Sequence, residues 1–155
     1  MQLTLQQALD VLQQHRLKLT HQRLTLLSYL NDHRDHYLNT TQIDDYMRQR
    51  FPNMSHNTVY KNIRKLKQLG IVEERFADNH QQIKYQCDFT NPLHGHFICQ
   101  NCGKVTELKT NLTELIQRDL PDYQINHQQI EIYGICPECQ KKLKSANNHP
   151  SSLTN

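Results

Sequence analysis

The chain has 155 residues, 36% of them hydrophobic, and a formal net charge of +3. It lacks the ~20-residue apolar stretch of a membrane helix, the basic and apolar segments of a secretory signal, and a glycine-rich nucleotide loop. We therefore expect a cytoplasmic protein with reduced cysteines and no membrane partner.

The first part of the chain predicts four helices followed by a β-hairpin. Thr20 is placed to cap the second helix, Thr40 or Thr41 opens the third, and Ser55 caps the fourth. Gly70 stands where the fourth helix is expected to end. The segments IVEERF and IKYQC then predict two strands joined by a turn. This order is typical of a winged helix-turn-helix, which makes the fold class α+β.

The fourth predicted helix has the pattern of a DNA-binding element. Six Lys or Arg and no Asp or Glu lie between Tyr46 and Val72. An apolar stripe of Val59, Ile63 and Leu66 predicts which side faces the core. Basic and amide side chains on the other side can contact phosphates and base edges. The outward set is Asn57, Tyr60, Lys61, Arg64 and Lys65. The alternative is a solvated basic helix without a ligand.

Charge and cysteines divide the chain into two parts. Residues 1–85 hold 12 Lys and Arg against 8 Asp and Glu, whereas residues 86–155 hold 6 against 7. Four of the five cysteines lie well inside the second part, and Cys87 lies at the junction. Two small domains fit this distribution better than one, at residues 1–86 and 87–144. The polar stretch 145–155 lacks apolar periodicity and is expected to be a disordered tail.

Two C-x-x-C pairs carry the strongest chemical signal. They are Cys99 with Cys102 and Cys136 with Cys139. A tetrahedral Zn²⁺ needs four donors, and each C-x-x-C turn presents two sulfurs to one ion. The 33 residues between the pairs predict a strand, a helix and a second strand, at 104–109, 111–120 and 129–135. Two disulfides or a redox dithiol are the alternative interpretations.

A His-x-His pair lies just before the first cysteine pair. On a strand, His94 and His96 point to the same face, so both can serve one metal ion. A pair of surface histidines is the alternative. The proximity of Cys99 favours the metal site.

The residues described above resemble the ferric uptake regulator family. The resemblance rests on FPNMSHNTVYKNIRKLKQLGIVEER, HGHFICQNCGKVTEL and IEIYGICPEC, and it covers residues 8–140. It implies a homodimeric metal-dependent repressor that binds a palindromic operator in double-stranded DNA, with no small-molecule substrate. The implied fold is a winged helix followed by an α/β dimerisation domain, with structural zinc on the four cysteines. Lys18, in the family-like segment RLKLTHQR, is a further candidate DNA contact.

The resemblance also implies a regulatory metal site. In zinc-sensing members the site combines an acid after the recognition helix, a cysteine at the end of the wing and the His-x-His pair. The matching positions here are Glu73, Cys87, His94 and His96. A thiolate favours Zn²⁺ over Fe²⁺ or Mn²⁺, which remain the alternative metals.

An iron- or peroxide-sensing member is the alternative within the family. The pattern of peroxide-sensing members includes an Asp at the end of the wing, which Asp88 can supply, and an acid at the position of Glu107. It also includes a histidine where this chain has Tyr37. A third metal site of some members retains Glu114 here, whereas its histidine is displaced by one residue to His127.

Two alternative hypotheses assign the protein to a different functional class. In one, His94, His96 and a carboxylate form the open site of a zinc enzyme, although no H-E-x-x-H motif or evident general base is present. In the other, a structural zinc protein assembles on nucleic acid without sensing. DNA binding that a chelator reverses distinguishes the repressor from both.

Overall fold

The computed structural model describes residues 3–86, 88–89, 94–110, 112–126 and 128–147. The chain forms two compact units, one ending at residue 92 and the other beginning at residue 93. Both units combine helices with a three-stranded sheet, which confirms the α+β class.

The first unit contains four helices and three strands. In chain order they are α1 (Leu3–Gln14), α2 (His21–Asp32), β1 (Leu38–Asn39), α3 (Thr40–Arg50), α4 (His56–Gln68), β2 (Val72–Ala77) and β3 (His80–Tyr85). The strands form an antiparallel sheet in the order β1-β3-β2. This arrangement is the predicted winged helix-turn-helix, to which β1 adds a strand that periodicity did not predict.

Local signals set the helix ends of this unit. Thr20 and Ser55 accept backbone N–H bonds as the predicted caps of α2 and α4. Helix α3 begins at Thr40, but its first turn is closed by Asn39, whose N–H donates to Gln42 Oε1 at 2.9 Å. Gly70 ends α4 at φ +68°, and its N–H bonds to the carbonyl of Lys67.

One hydrophobic core holds the first unit together. Val59, Ile63 and Leu66 of α4 are at most 3% exposed, as their helical spacing predicts. They pack in one cluster with buried side chains from the other helices and the sheet. The opposite side of α4 is thereby left to solvent.

The second unit contains β4 (Gly95–Cys99), β5 (Val105–Leu108), α5 (Leu112–Asp119), β6 (Glu131–Gly134) and α6 (Pro137–Asn147). The strand order is β5-β4-β6, in which β5 is antiparallel and β6 parallel to the central β4. The predicted strand, helix and strand between the cysteine pairs are all present. Helix α6 was not predicted, and it extends through residues 145–147, where the tail was expected. Pro137 occupies its first position, where the missing N–H costs nothing.

Candidate nucleic-acid interface and metal centres

Helix α4 presents an exposed row of basic and amide side chains. Asn57, Lys61, Arg64 and Lys65 are exposed, and Tyr60 is half-buried. The helix carries no acid in its first turn and two lysines in its last. The predicted outward side of the helix is therefore a cationic surface, as contact with a nucleic-acid backbone requires.

The segment around Lys18 is tied to the same helix. Arg23 of α2 donates from Nε to Asn62 Oδ1 of α4 at 3.1 Å, and its Nη1 contacts the carbonyl oxygen of Lys18. Asn62 in turn donates to the carbonyl of Thr58 at 3.0 Å. This chain of contacts fixes the backbone that carries the exposed Lys18 relative to α4.

A carboxylate of the wing contacts helix α4. Glu74 on β2 contacts Lys67 Nζ of α4 and accepts from Gln81 Nε2 of β3. The side chain of Glu74 is about 20% exposed, and that of Lys67 is about half exposed. Glu74 therefore compensates one positive charge at the edge of the cationic surface.

The four predicted zinc ligands converge in the second unit. Their Sγ atoms all lie within 4.8 Å of one another, and none forms a disulfide. The Sγ atoms of Cys102 and Cys136 are 3.8 Å apart. Tetrahedral zinc with Zn–S bonds of ~2.3 Å separates its sulfurs by ~3.8 Å, so the cluster fits this ion. Convergence of all four sulfurs on one point favours a shared ion over two separate disulfides.

Hydrogen-bond donors contact the sulfurs of Cys99 and Cys139, and those to Cys99 lower its pKa, whereas the pKa of Cys102 is raised to about 12. The N–H of Cys136 donates to Cys99 Sγ at 3.3 Å. This bond, together with the N–H of Cys102, lowers the pKa of Cys99 to about 6. The side-chain amide of Asn101 donates to Cys139 Sγ at 3.1 Å. The donors to Cys99 stabilise its thiolate form, which is the form that binds zinc.

The two histidines of the His-x-His motif also converge. Their Nε2 atoms are 2.9 Å apart, and His96 is 6% exposed. The strand register places Glu107 of β5 and Glu131 of β6 on either side of His96. Directly paired residues share a face of the sheet, so imidazole and carboxylate groups line one face here.

The remaining candidate ligands are distributed as follows. Glu73 lies on β2 in the first unit, where its Oε2 is 3.5 Å from the hydroxyl of Tyr37. Asp88 follows the wing, and its N–H bonds to Gln86 Oε1. Glu114 is exposed on α5. Cys87 and His127 lie outside the described residues, so their predicted roles stay predictions.

A further cluster of charged side chains was missed from the sequence. Asp44 of α3 is buried and lies 2.6 Å from His56 Nδ1 at the start of α4, and Arg48 lies 2.9 Å from His56 Nε2. Asp44 and His56 are twelve positions apart on different helices. No helical periodicity connects two residues on different helices. The segment without acids, by which the basic residues were recognised, begins at Tyr46 and so leaves out Asp44.

Comparisons with known proteins identify the family to which this chain is related. The ferric uptake regulator family model matches residues 14–133. A ferric uptake regulation protein of Staphylococcus epidermidis (strain ATCC 12228) is 36% identical over 135 residues, which cover 87% of this chain and 95% of the relative. The peroxide-responsive repressor PerR of Staphylococcus aureus (strain Mu50) is 33% identical over 142 residues, covering 89% and 93%.

A solved structure of a zinc uptake regulator complexed with zinc and DNA is also similar. Its TM-score is 0.77 at 26% identity, over 93% of this chain and 99% of that chain. The peroxide stress regulator of Campylobacter jejuni matches with a TM-score of 0.57, also at 26% identity, over 90% and 100%. The relatives thus carry names that refer to iron, peroxide and zinc.

The winged helix, the metal-binding groups and these relatives define a metal-responsive transcriptional regulator. The chain belongs to the ferric uptake regulator family, which confirms the resemblance seen in the sequence. The comparisons give no support to the alternative of a zinc-dependent enzyme. Among the described helices, none has the length and apolarity needed to cross a bilayer.

Proposed function

We propose that this protein is a zinc-responsive, homodimeric repressor that acts in the cytoplasm and binds a palindromic operator when its regulatory metal is bound. The observation that carries the proposal is the approach of His94 and His96, whose Nε2 atoms lie 2.9 Å apart. Two imidazole nitrogens on one tetrahedral zinc are ~3.4 Å apart, so a shift of a few tenths of an ångström would admit the ion.

The proposed regulatory ligands are Glu73, Cys87, His94 and His96. One carboxylate, one thiolate and two imidazoles form a donor set that suits tetrahedral Zn²⁺. Glu73 and Cys87 belong to the unit with the winged helix, and the histidines belong to the other unit. An ion bound by all four would couple the two units.

This coupling explains how metal would control DNA binding. In a symmetric dimer, the angle between the two units sets the separation of the two recognition helices. Half-sites lie ~34–36 Å apart or at multiples of that distance, so the separation tolerates little error. A metal ion that binds the DNA-competent arrangement more tightly shifts the population toward it. A coupling free energy of ~1–3 kcal/mol changes operator affinity ~5–150-fold.

The DNA-contacting residues are proposed to be Lys18, Asn57, Tyr60, Lys61 and Arg64. Four of them are exposed, and all except Lys18 stand on α4 opposite its buried stripe. The basic groups would bind phosphates, and Asn57 and Tyr60 would reach base edges.

A second candidate is an iron- or peroxide-responsive regulator of the same family. Glu107 lies directly opposite His96 in the strand register. With Asp88 it would supply oxygen ligands, which suit Fe²⁺ or Mn²⁺ better than a thiolate does. The relatives named for iron and peroxide support this candidate.

Metal analysis and DNA titration of matched variants test the proposal. The DNA probe is a duplex selected from a random pool by the zinc-loaded wild type, and titrations with Zn²⁺, Fe²⁺ and Mn²⁺ are compared with chelator. We expect Cys87→Ser and His96→Ala to keep one zinc per chain but to gain no DNA affinity from added Zn²⁺. The exposed histidine His33 provides the control variant His33→Ala.

Three outcomes contradict the proposal at different levels. Variants that respond to Zn²⁺ like the wild type place the regulatory site elsewhere. A response to Fe²⁺ or Mn²⁺ that Glu107→Gln abolishes and Cys87→Ser leaves intact favours the second candidate. Wild-type DNA binding that is indifferent to every metal overturns metal-dependent repression itself.

A further inference from the structure

A buried acid, an imidazole and a guanidinium form a linked row between α3 and the start of α4. Asp44 Oδ2 lies 2.6 Å from His56 Nδ1, and Arg48 Nη1 lies 2.9 Å from His56 Nε2. Arg48 is also 3.9 Å from the Asp44 carboxylate, one helical turn away on α3. We call this set the Asp44–His56–Arg48 row.

The two partners of the imidazole favour one arrangement of donors and acceptors. A carboxylate only accepts hydrogen bonds, so Nδ1 of His56 carries the proton that it donates to Asp44. A guanidinium only donates, so Nε2 of His56 offers its lone pair to Arg48. The two ring nitrogens of His56 therefore join the buried acid to Arg48 through two hydrogen bonds.

Burying the carboxylate of Asp44 has a free-energy cost. Its side chain is only 5% exposed, and its Oδ1 has no hydrogen-bond partner among the described residues. An incompletely bonded buried carboxylate is unfavourable unless nearby positive groups offset the loss of water. Here the offset comes from the guanidinium of Arg48, 3.9 Å away, and from the hydrogen bond that His56 donates.

The outer end of the row lies on the cationic surface of the first unit. The side chain of Arg48 is 41% exposed and that of His56 is 64% exposed. His56 is the first residue of α4, the helix proposed to read DNA, and that helix has no acid in its first turn. A guanidinium held in one orientation loses less side-chain entropy when it binds a phosphate than a free one does.

We propose that Arg48 binds a phosphate of the DNA backbone beside the start of the recognition helix, and that His56 and Asp44 are the positioning residues that hold it there. This inference rests on the proposed function, since DNA is the partner. It adds a contact from α3 to those proposed on α4. Nε of Arg48 is buried, so the N–H groups of its Nη atoms supply the charge-assisted bonds to the phosphate.

Salt-dependent DNA binding tests the contact itself. With the selected duplex and zinc-loaded protein, Arg48→Ala is expected to weaken binding several-fold and to reduce the slope of log K against log salt by about 0.9. The matched control is Arg50→Ala, which removes the same charge from the same helix, where Arg50 stacks on the Tyr46 ring at 3.7 Å. We expect a smaller change in slope for the control, and equal changes would refute a specific contact.

A double-variant comparison tests the positioning role. His56→Ala alone is expected to weaken DNA binding, but in the Arg48→Ala background it should add no further loss. Asp44→Asn should behave in the same way. A purely structural row would lower the thermal stability of each variant while leaving the salt slope unchanged, and that result overturns the inference.

Phosphate replacement identifies the partner atom. Duplexes in which single phosphates are replaced by neutral methylphosphonates should reveal one position at which the wild type loses affinity and Arg48→Ala does not. If no position shows this difference, the inference fails even though the protein binds DNA. If the wild type binds no duplex in any metal, the proposed function fails first, and the two failures are thus distinguishable.

Discussion

The sulfur of Cys102 lies 3.8 Å from that of Cys136, although the two cysteines are 34 positions apart. They meet because β4 and β6 pair in parallel, which brings the ends of both strands to one edge of the sheet. Among the described residues, the buried cluster at this edge consists of Cys99, Cys136 and Cys139, flanked by Phe97 and Ile135. Few hydrophobic side chains therefore support the second unit here, and zinc binding would replace much of that support.

Removal of one thiolate should open the zinc site. We expect Cys102→Ser to lose one zinc per chain and to lower the melting temperature, because the binding free energy of a structural ion is partly folding free energy. The control is Asn101→Ala, which removes the donor to Cys139 Sγ but no ligand. It should keep the ion with an affinity reduced ~10–100-fold. Full zinc content and normal melting of Cys102→Ser would contradict this assignment.

Charge removal on α4 should flatten the salt dependence of DNA binding. Arg64→Ala and Lys61→Ala are each expected to reduce the slope of log K against log salt by about 0.9 if each residue neutralises one phosphate. Lys109→Ala is the matched control, because Lys109 is also exposed but lies in the second unit. Unchanged slopes for both α4 variants would remove this helix from the interface.

Removal of the acid at the wing should strengthen DNA binding. Glu74 contacts Lys67 and accepts from Gln81, so Glu74→Gln releases the charge of Lys67 and keeps the shape of the side chain. We expect a several-fold higher affinity and a salt slope steeper by up to about 0.9. Asp119→Asn changes the net charge by the same amount on α5 and serves as control. Weaker DNA binding by Glu74→Gln would show that the contact of Glu74 with Lys67 contributes more by positioning the wing than it costs by compensating the charge of Lys67.

Gly70 should be sensitive to substitution for conformational reasons alone. It ends α4 at φ +68°, and a Cβ built there meets no atom within 4 Å. Gly70→Ala is therefore expected to lower the free energy of unfolding by ~1–2 kcal/mol without any steric clash. Gly70→Asn should cost less, because Asn tolerates the left-handed region. Denaturant unfolding of both variants measures the difference, and equal losses would indicate a cause other than backbone strain.

Local physical signals explain which elements were predictable from the sequence. Ser55, Gly70 and the stripe of α4 act within a few residues of one another, so capping and periodicity were sufficient to place that helix. The turn of the wing was also local, since Asp78 and Asn79 both adopt positive φ, as such residues tolerate. The zinc ligands were predictable because each C-x-x-C pair is a local motif.

The features that were missed depend on residues distant in the chain. Strand β1 has two residues and exists only because Leu38 and Asn39 pair with β3, so no alternation is long enough to detect. The contact between Asp44 and His56 needs the packing of α3 against α4. Helix α6 starts inside the second cysteine pair, and that motif indicates metal chemistry without specifying how the chain continues.

The parallel pairing of β4 with β6 also affects the order in which the chain acquires its structure. The wing closes between neighbouring strands, whereas His96 must find Glu131 across the whole of β5 and α5. Such distant pairings form slowly because the intervening loop loses entropy before any contact compensates. The cysteine pairs lie on either side of that loop, so the ion favours its closure. We expect chains synthesised during zinc starvation to complete the winged helix first and to leave the second unit open. The amount of fully folded regulator would then depend on the zinc present during synthesis. This dependence is separate from the later binding of the regulatory metal.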